Sequence, residues 1–430
     1  MAYYTSGMKS TLIDPVIDVD KNRVEFRLSP NALFSSDIKL LNFGVYQTGD
    51  PAPATQHLNT LAGSWGCVKN VYLMDNGTTL DQLLDANVYM GFKKYNTGMN
   101  KARNIDRYTT GNLVGSVVSE TQMVGVGGRP FSQTVGTTAG TSQQSFLSLR
   151  DALPILRNMS YIPTSLFTDL KIVVEYETDL KKVVELIGNG VAFNNLANPL
   201  IRVDEITNQE AVQQLTREFR GVAFNCYERD ITALPHTAAT AGVSKINTSS
   251  SLIKGFDNKY INRLWCGLYT NATAALELGA EDSGVMSWGG SLAPIKAIDA
   301  NWQVVVNGAN ILVGNGVQKS NEVLGLLVDT YGECSPPIGG TGIGMVADND
   351  MVSRDNMYSM AKAGWFAVPV QQYISQLQIN VNYTSSFNED AGTDKFRTLD
   401  KFNTPYTLFT WAECKKSLAV QGNSYVIGYS

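Results

Sequence analysis

Residues 161–179 read YIPTSLFTDLKIVVEYETD, and residues 366–385 read FAVPVQQYISQLQINVNYTS. In each stretch a proline, Pro163 or Pro369, precedes a run with apolar residues at every second position. These are Leu170, Ile172, Val174 and Tyr176 in the first run, and Leu377, Ile379, Val381 and Tyr383 in the second. Successive side chains of a strand point to opposite faces, so the alternation predicts a strand with one buried face. Leu170 and Leu377 lie 207 residues apart, as do the other three pairs. A pattern returning at that interval predicts two copies of one β-domain, each closed by this strand.

Length agrees, because 430 residues exceed what one hydrophobic core usually serves. Charged residues make up 17% and hydrophobic ones 43%, with 38 glycines, which describes a packed, turn-rich chain rather than a disordered one. Lys and Arg number 34 against 39 Asp and Glu, and the start MAYYTSGMKS holds a single lysine. Without a basic arm to neutralise phosphates, tight direct packaging of nucleic acid is not expected. That start has no apolar core of signal-peptide length, and no apolar run is long enough to span a bilayer, so folding in the cytosol without secretion is expected. Cys67, Cys226, Cys266, Cys334 and Cys414 are scattered, odd in number and free of any CxxC, which reads as reduced, buried thiols rather than disulfides or a zinc site. Asn-x-Ser/Thr triplets begin at Asn76, Asn158, Asn247, Asn271 and Asn382 but carry meaning only in a secreted chain.

Arg23–Leu28 and 38–46 read as strands, and Gly66–Met74 leads into Asp75-Asn76-Gly77, where Asn-Gly supplies the positive φ of a tight turn. Beyond it, Leu80, Leu83, Leu84 and Val88 at helical spacing predict a helix over 79–92. Residues from Val117 turn β-like, 125–144 form a Gly/Ser/Thr-rich exposed loop, and 145–159 predict helix interrupted or restarted at Pro154. In the second half, 200–206 predict a strand, and Thr207 with Glu210 predicts a capping box ahead of Val212, Leu215 and Phe219. Residues 221–234, 260–269, 295–298 and 302–312 predict strands, the last interrupted at Asn307-Gly308 as the first half is at Asn76-Gly77. Residues 236–251 (HTAATAGVSKINTSSS) read as a second exposed loop, 335–344 as a loop, 357–363 as a helix, and 425–429 as β-prone. The resulting division is a first β-domain over 1–180, a connector over 181–198, a second domain over 199–385 and a C-terminal tail over 386–430 that latches onto a neighbour. Many short strands and two similar halves define an all-β chain of two antiparallel sandwiches or jelly rolls.

Residues for catalysis are scarce. His57 and His236 are the only histidines, both in loop-like sequence, so His-rich metal sites and Ser-His-Asp arrangements lack material, and solvated loop histidines are the plainer reading. Glu175 and Glu177 could serve as a glycosidase carboxylate pair, yet they sit opposite the apolar face of their strand, where a solvated or interdomain face is expected. Gly339–Gly344 lacks the Lys-Ser/Thr of a P-loop, and Asp348-Asn349-Asp350 lacks the glutamate of an EF-hand. Trp65, Trp265, Trp288, Trp302, Trp365 and Trp411 could stack sugars, but their scatter favours cores and interfaces. No catalytic, cofactor-binding or metal residue is assigned.

The duplicated strands Leu170–Tyr176 and Leu377–Tyr383, each behind its proline segment, resemble those of the double jelly-roll major capsid proteins of adenovirus, tectivirus-like phages and Polinton-like and large DNA viruses. The helix-like insert 145–159 and the segment VKNVYLMDNGTTLDQL at 68–83 add to the resemblance, which covers about residues 20–385. It implies two consecutive eight-stranded antiparallel jelly rolls with short helices in the insertions. It also implies a homotrimer forming a pseudo-hexameric capsomer of an icosahedral shell, without catalysis or cofactor. Implied partners are other capsomers, minor capsid or penton proteins and, in some members, an internal membrane, and the implied location is the virion. A two-domain carbohydrate-binding or carbohydrate-active β-protein is the alternative, marked by aromatics beside carboxylates in a groove. A bacterial surface or appendage subunit would carry a secretion signal.

Overall fold

A computed structural model describes residues 7–19, 22–41, 46–48, 57–58, 63–95, 146–178, 184–185, 192–194, 199–238, 240, 243, 245–270, 300–312, 326, 330, 365–385, 406–422 and 424–429. In chain order the first half contains β1 (Met8–Ile13), β2 (Ile17–Val19), β3 (Arg23–Arg27), β4 (Leu33–Ser35), β5 (Lys39–Leu41), β6 (Tyr46–Thr48), β7 (His57–Leu58), β8 (Val68–Asp75), β9 (Thr78–Leu83), helix α1 (Ala86–Tyr95) and β10 (Leu147–Ser148). It continues with helices α2 (Leu149–Ala152) and α3 (Pro154–Asn158), then β11 (Tyr161–Pro163), β12 (Leu170–Tyr176), β13 (Val184–Glu185), β14 (Ala192–Asn194) and β15 (Leu200–Ile206). After helix α4 (Gln209–Glu218) come β16 (Gly221–Ala233), β17 (Lys245–Ile253), β18 (Lys259–Thr270), β19 (Ala300–Val306), β20 (Ala309–Asn310), β21 (Trp365–Ile374), β22 (Leu377–Ser385), β23 (Tyr406–Gln421) and β24 (Ser424–Tyr429).

The repeat is real and extends past the two strands that announce it. β12 lies between β3 and β8, and β8 pairs with β9; β22 lies between β17 and β19, and β19 pairs with β20. Ile172, Val174 and Ile379, Val381 point inward and are buried, as period-2 patterning requires. The β8–β9 and β19–β20 turns hold Asn76 (φ 44) with Gly77 (φ 84) and Asn307 (φ 51) with Gly308 (φ 85), the left-handed pair of a two-residue hairpin. Even one loop hydrogen bond recurs: Asn76 N–H donates to Asp169 O at 3.4 Å, and Asn307 N–H to Gln376 O at 2.9 Å. The facing sheets match too. β15 pairs with β1, β4 and β5, and β4 with β11; β23 pairs with β16, β18 and β24, and β18 with β21. Pro369 in β21 faces Arg263, where the register of β18 shifts, so its missing N–H falls at an irregularity of the ladder.

All pairings are antiparallel among the described residues, and helices are short, so the chain is an all-β double jelly roll. Four expectations need correction. First, β12 and β22 do not close the repeats: β15, placed by its sequence in the second half, joins the first half's sheet. Likewise β23, read as tail, lies between β16 and β18. Tyr406–Cys414 is buried on both faces except at Phe409, so it shows no alternation to read. Second, 78–83 are strand, because the hairpin sets Leu83 opposite Val71 and overrides the helical spacing; α1 starts only at Ala86, after Asp85 (φ 47). Third, α4 is capped by Asn208, whose Oδ1 accepts from Glu210 N at 3.0 Å and Ala211 N at 3.2 Å. Thr207 instead donates its hydroxyl to Gly7 O. Fourth, the supposed loop 236–251 yields most of β17; its alternation was hidden because its buried residues, Asn247, Ser249 and Ser251, are polar.

The insert 149–158 does form two short helices, with Pro154 at the first turn of α3 as a residue lacking N–H prefers. Residues 117–144, 295–298, 335–344 and 357–363 lie outside the described residues.

Candidate functional site: the seam between the halves

The first half meets the second along β8, β9, α1 and α3 on one side and the outer face of the β16–β23–β18 sheet with β24 on the other. Tyr89 of α1 stands at the centre, its ring 4.7 Å from Tyr227, 5.0 Å from Trp265 and 6.1 Å from Trp411. Trp265 and Trp411 are register partners, stacked at 6.4 Å and almost fully buried. Such packing stabilises through apolar burial and through tilted or stacked ring geometry, worth about 0.5–1.5 kcal/mol per pair beyond area.

Polar groups frame the aromatics. Asp85 pairs with Arg229, and its backbone N–H donates to Asn70 Oδ1 at 2.9 Å. Asn70 Nδ2 donates to Glu175 Oε2 at 2.6 Å, and Tyr72 donates its hydroxyl to the same oxygen at 3.2 Å. Burial, and then the Glu175 carboxylate, push the Tyr72 phenol up to about 12. Glu177 accepts from Asn87 Nδ2 at 2.8 Å. Glu175 and Glu177 are thus held by amides and a phenol of the first half, on the polar side of β12. Glu413 is buried, which raises its pKa, against the opposing pull of Arg263, Arg157 and Lys93.

Asp81 is fully buried beneath the seam. Its Oδ2 accepts from Ile155 N at 2.9 Å, capping the start of α3, and Oδ1 accepts from Gln82 N at 3.0 Å. Desolvation dominates and pushes its pKa up to about 7. Beside it, Lys416 Nζ donates to Leu80 O at 2.9 Å. At the far end Tyr425 of β24 donates to Asp75 Oδ2 at 2.8 Å and packs tilted at 5.1 Å against the Phe167 ring, beside a cleft of about 490 Å³.

Of the residues weighed for chemistry, His236 is not a solvated loop side chain: it is half-buried and stacked on Tyr383 at 6.4 Å. His57 falls in β7, far in sequence and pairing from that stack. Trp65, Trp265, Trp302 and Trp411 are buried and present no sugar platform; the side chains of Trp288 and Trp365 lie outside the described ones. Cys67, Cys226, Cys266 and Cys414 are free and buried, and burial raises the Cys67 thiol to about 12. Among the described residues no group of three or more His, Cys, Asp or Glu could hold a metal ion, and no helix is long and apolar enough to cross a membrane. The Gly339–Gly344 and Asp348–Asp350 stretches and Cys334 lie outside them. The seam itself escaped sequence reading, since its members come from eight elements with no shared spacing.

Two matched jelly rolls joined through a buried seam define the class: the chain has the double jelly-roll fold of viral major capsid proteins. A chain of the Sputnik virophage structure, solved by cryo-electron microscopy, superposes with a TM-score of 0.57 over 98% of this chain and 88% of that one, at 10% identity. The mavirus major capsid protein superposes at 0.54 over 99% and 90%, also at 10% identity. The Faustovirus major capsid protein gives 0.52 over 96% and 90%, at 11% identity. No protein-family model and no curated protein matches the sequence.

Proposed function

We propose that this chain is a virus major capsid protein, a structural subunit without catalysis, which forms homotrimers whose six jelly rolls make a pseudo-hexameric capsomer of an icosahedral shell. One asymmetry carries the trimer reading. The outer face of the β16–β23 sheet is covered by the first half, whereas no described element covers the matching β1–β15 face, where Leu12 and Met8 are exposed beside an Arg202–Ser10–Asp204 cluster. A second copy's second half fits that face as the first half fits its own partner. Repeating this head-to-tail step closes a ring. Strand membership supports dividing the jelly rolls at α4. Other capsomers, minor or penton proteins and an underlying membrane are the partners this reading assigns, with the virion as location after synthesis in the host cytosol. The neutral-to-acidic composition supports leaving genome contact to other proteins.

Light scattering with negative-stain microscopy tests it. Particles of three times 46.9 kDa, hexagonal in outline, are expected. Leu12→Asp combined with Arg202→Glu should return them to monomers. A wild-type chain that stays monomeric at high concentration overturns the reading.

A further inference from the structure

An open sheet edge offers unpaired N–H and C=O groups to any strand that reaches it, and proteins normally blunt such edges. The first half does so: β2 runs along β3, with Ile17 opposite Glu25 and Val19 opposite Arg23. In the second half β17 takes the place of β3, and no described strand lies on its outer side. Ahead of β17 the described residues pair elsewhere: Thr237 N–H donates to Asn247 Oδ1, His236 stacks on Tyr383, and Thr240 bridges to Val243. β17 is nine residues long, pairs with β22 without a register shift and holds no proline; its one charged residue, Lys245, sits exposed at the first position of the strand. Its outward residues are Ile246, Thr248, Ser250 and Leu252, with Ile246 76% and Leu252 48% exposed.

This edge is complementary to itself. Laid antiparallel against a second β17 about Ser249, Ile246 faces Leu252 twice, Thr248 faces Ser250 twice, and Lys245 faces Ile253, so no like charges meet. Sliding the register by two residues either way takes Ile246 off the position directly opposite Leu252, leaving the two only diagonal neighbours. Apolar and hydroxyl cross-strand pairs are the units that stabilise a sheet, and a two-fold contact needs such a self-matching patch. We propose that β17 pairs edge to edge with β17 of a second copy about a two-fold axis at Ser249, fusing the two β17–β22–β19–β20 sheets into one. A two-fold contact cannot close a ring of three, so this one joins chains of different trimers and is separate from the β1–β15 contact.

The register gives the test. Full-length chains carrying Thr248→Cys, mixed under mild oxidation with chains carrying Ser250→Cys, should give a disulfide-linked species of twice 46.9 kDa, while either alone stays at the wild-type background. Adding Ile246→Lys and Leu252→Lys, both at exposed positions, should abolish the species while circular dichroism shows the fold intact. A mixture that cross-links no better than its components overturns the proposal, as would happen if another segment or another protein covered the edge; so does equal cross-linking by Thr248→Cys alone. Light scattering of the wild type separates the two readings. Trimers without the mixed cross-link overturn only the β17 pairing, and the cross-link without trimers overturns only the trimer.

Discussion

The Tyr425 hydroxyl donates to Asp75 Oδ2 at 2.8 Å, tying the strand next to the C-terminus to the hairpin of β8 and β9 about 350 residues earlier in the chain. Asp75 is 4% exposed, and its other oxygen accepts from Asp169 N at 2.7 Å, so little water is at hand to replace the phenol. Tyr425→Phe should therefore lower unfolding free energy by about 1–2 kcal/mol, the usual worth of a partly screened bond to a charged acceptor. Denaturant titration reads it, and an unchanged midpoint would mean the tie carries no load.

Asp81 makes stability depend on pH. Its folded pKa, about 7, lies above its ordinary 3.8, so the folded chain binds this proton more tightly than the unfolded one. The contribution is complete below about pH 4 and is lost as pH rises through 7. Asp81→Asn should flatten this part of the profile of thermal midpoint against pH. It should also lower the midpoint throughout, because a carboxamide has one acceptor oxygen for the two N–H groups of Gln82 and Ile155. A variant with the wild-type slope would refute the assignment.

Gly221 opens β16 at φ +129, and a Cβ there would lie 2.1 Å from Leu418 O. Both the conformation and the space exclude a side chain. Gly221→Ala should cost about 2–4 kcal/mol, combining backbone strain with displacement of β23. Thermal unfolding beside an alanine substitution at exposed Gly255, where nothing lies within 4 Å, provides the comparison.

Asn307 does two jobs in the β19–β20 turn. Its backbone takes φ 51, and its Oδ1 accepts from Ser375 N at 2.8 Å and Ser375 Oγ at 2.9 Å while Nδ2 donates to Tyr373 O. Asn307→Gly keeps the φ and loses only the side-chain bonds; Asn307→Ala loses both. Calorimetry should rank wild type above the glycine variant and that above the alanine variant, with about 1 kcal/mol for the backbone step. The reverse order would show that the turn is not held in the left-handed region.

Local chemistry sufficed wherever one face was apolar and the other polar. The β12 and β22 alternation, the two Asn-Gly turns and Pro154 at the head of α3 could be read directly, and with them the duplication and the all-β class. Tertiary structure decided what local pattern could not encode. β23 is buried on both faces because the first half covers its Trp411 side, so it shows no period that marks it as a strand. β17 turns polar residues inward, so it has no apolar alternation, and pairing with β8 makes 78–83 a strand against its helical spacing. The seam is the extreme case: Tyr89, Asp85, Arg229, Trp265 and Trp411 acquire a joint role only when sheets distant in sequence pack face to face. Side-chain periodicity was enough to fix the repeated fold; which described faces are covered and which are exposed depended on long-range packing.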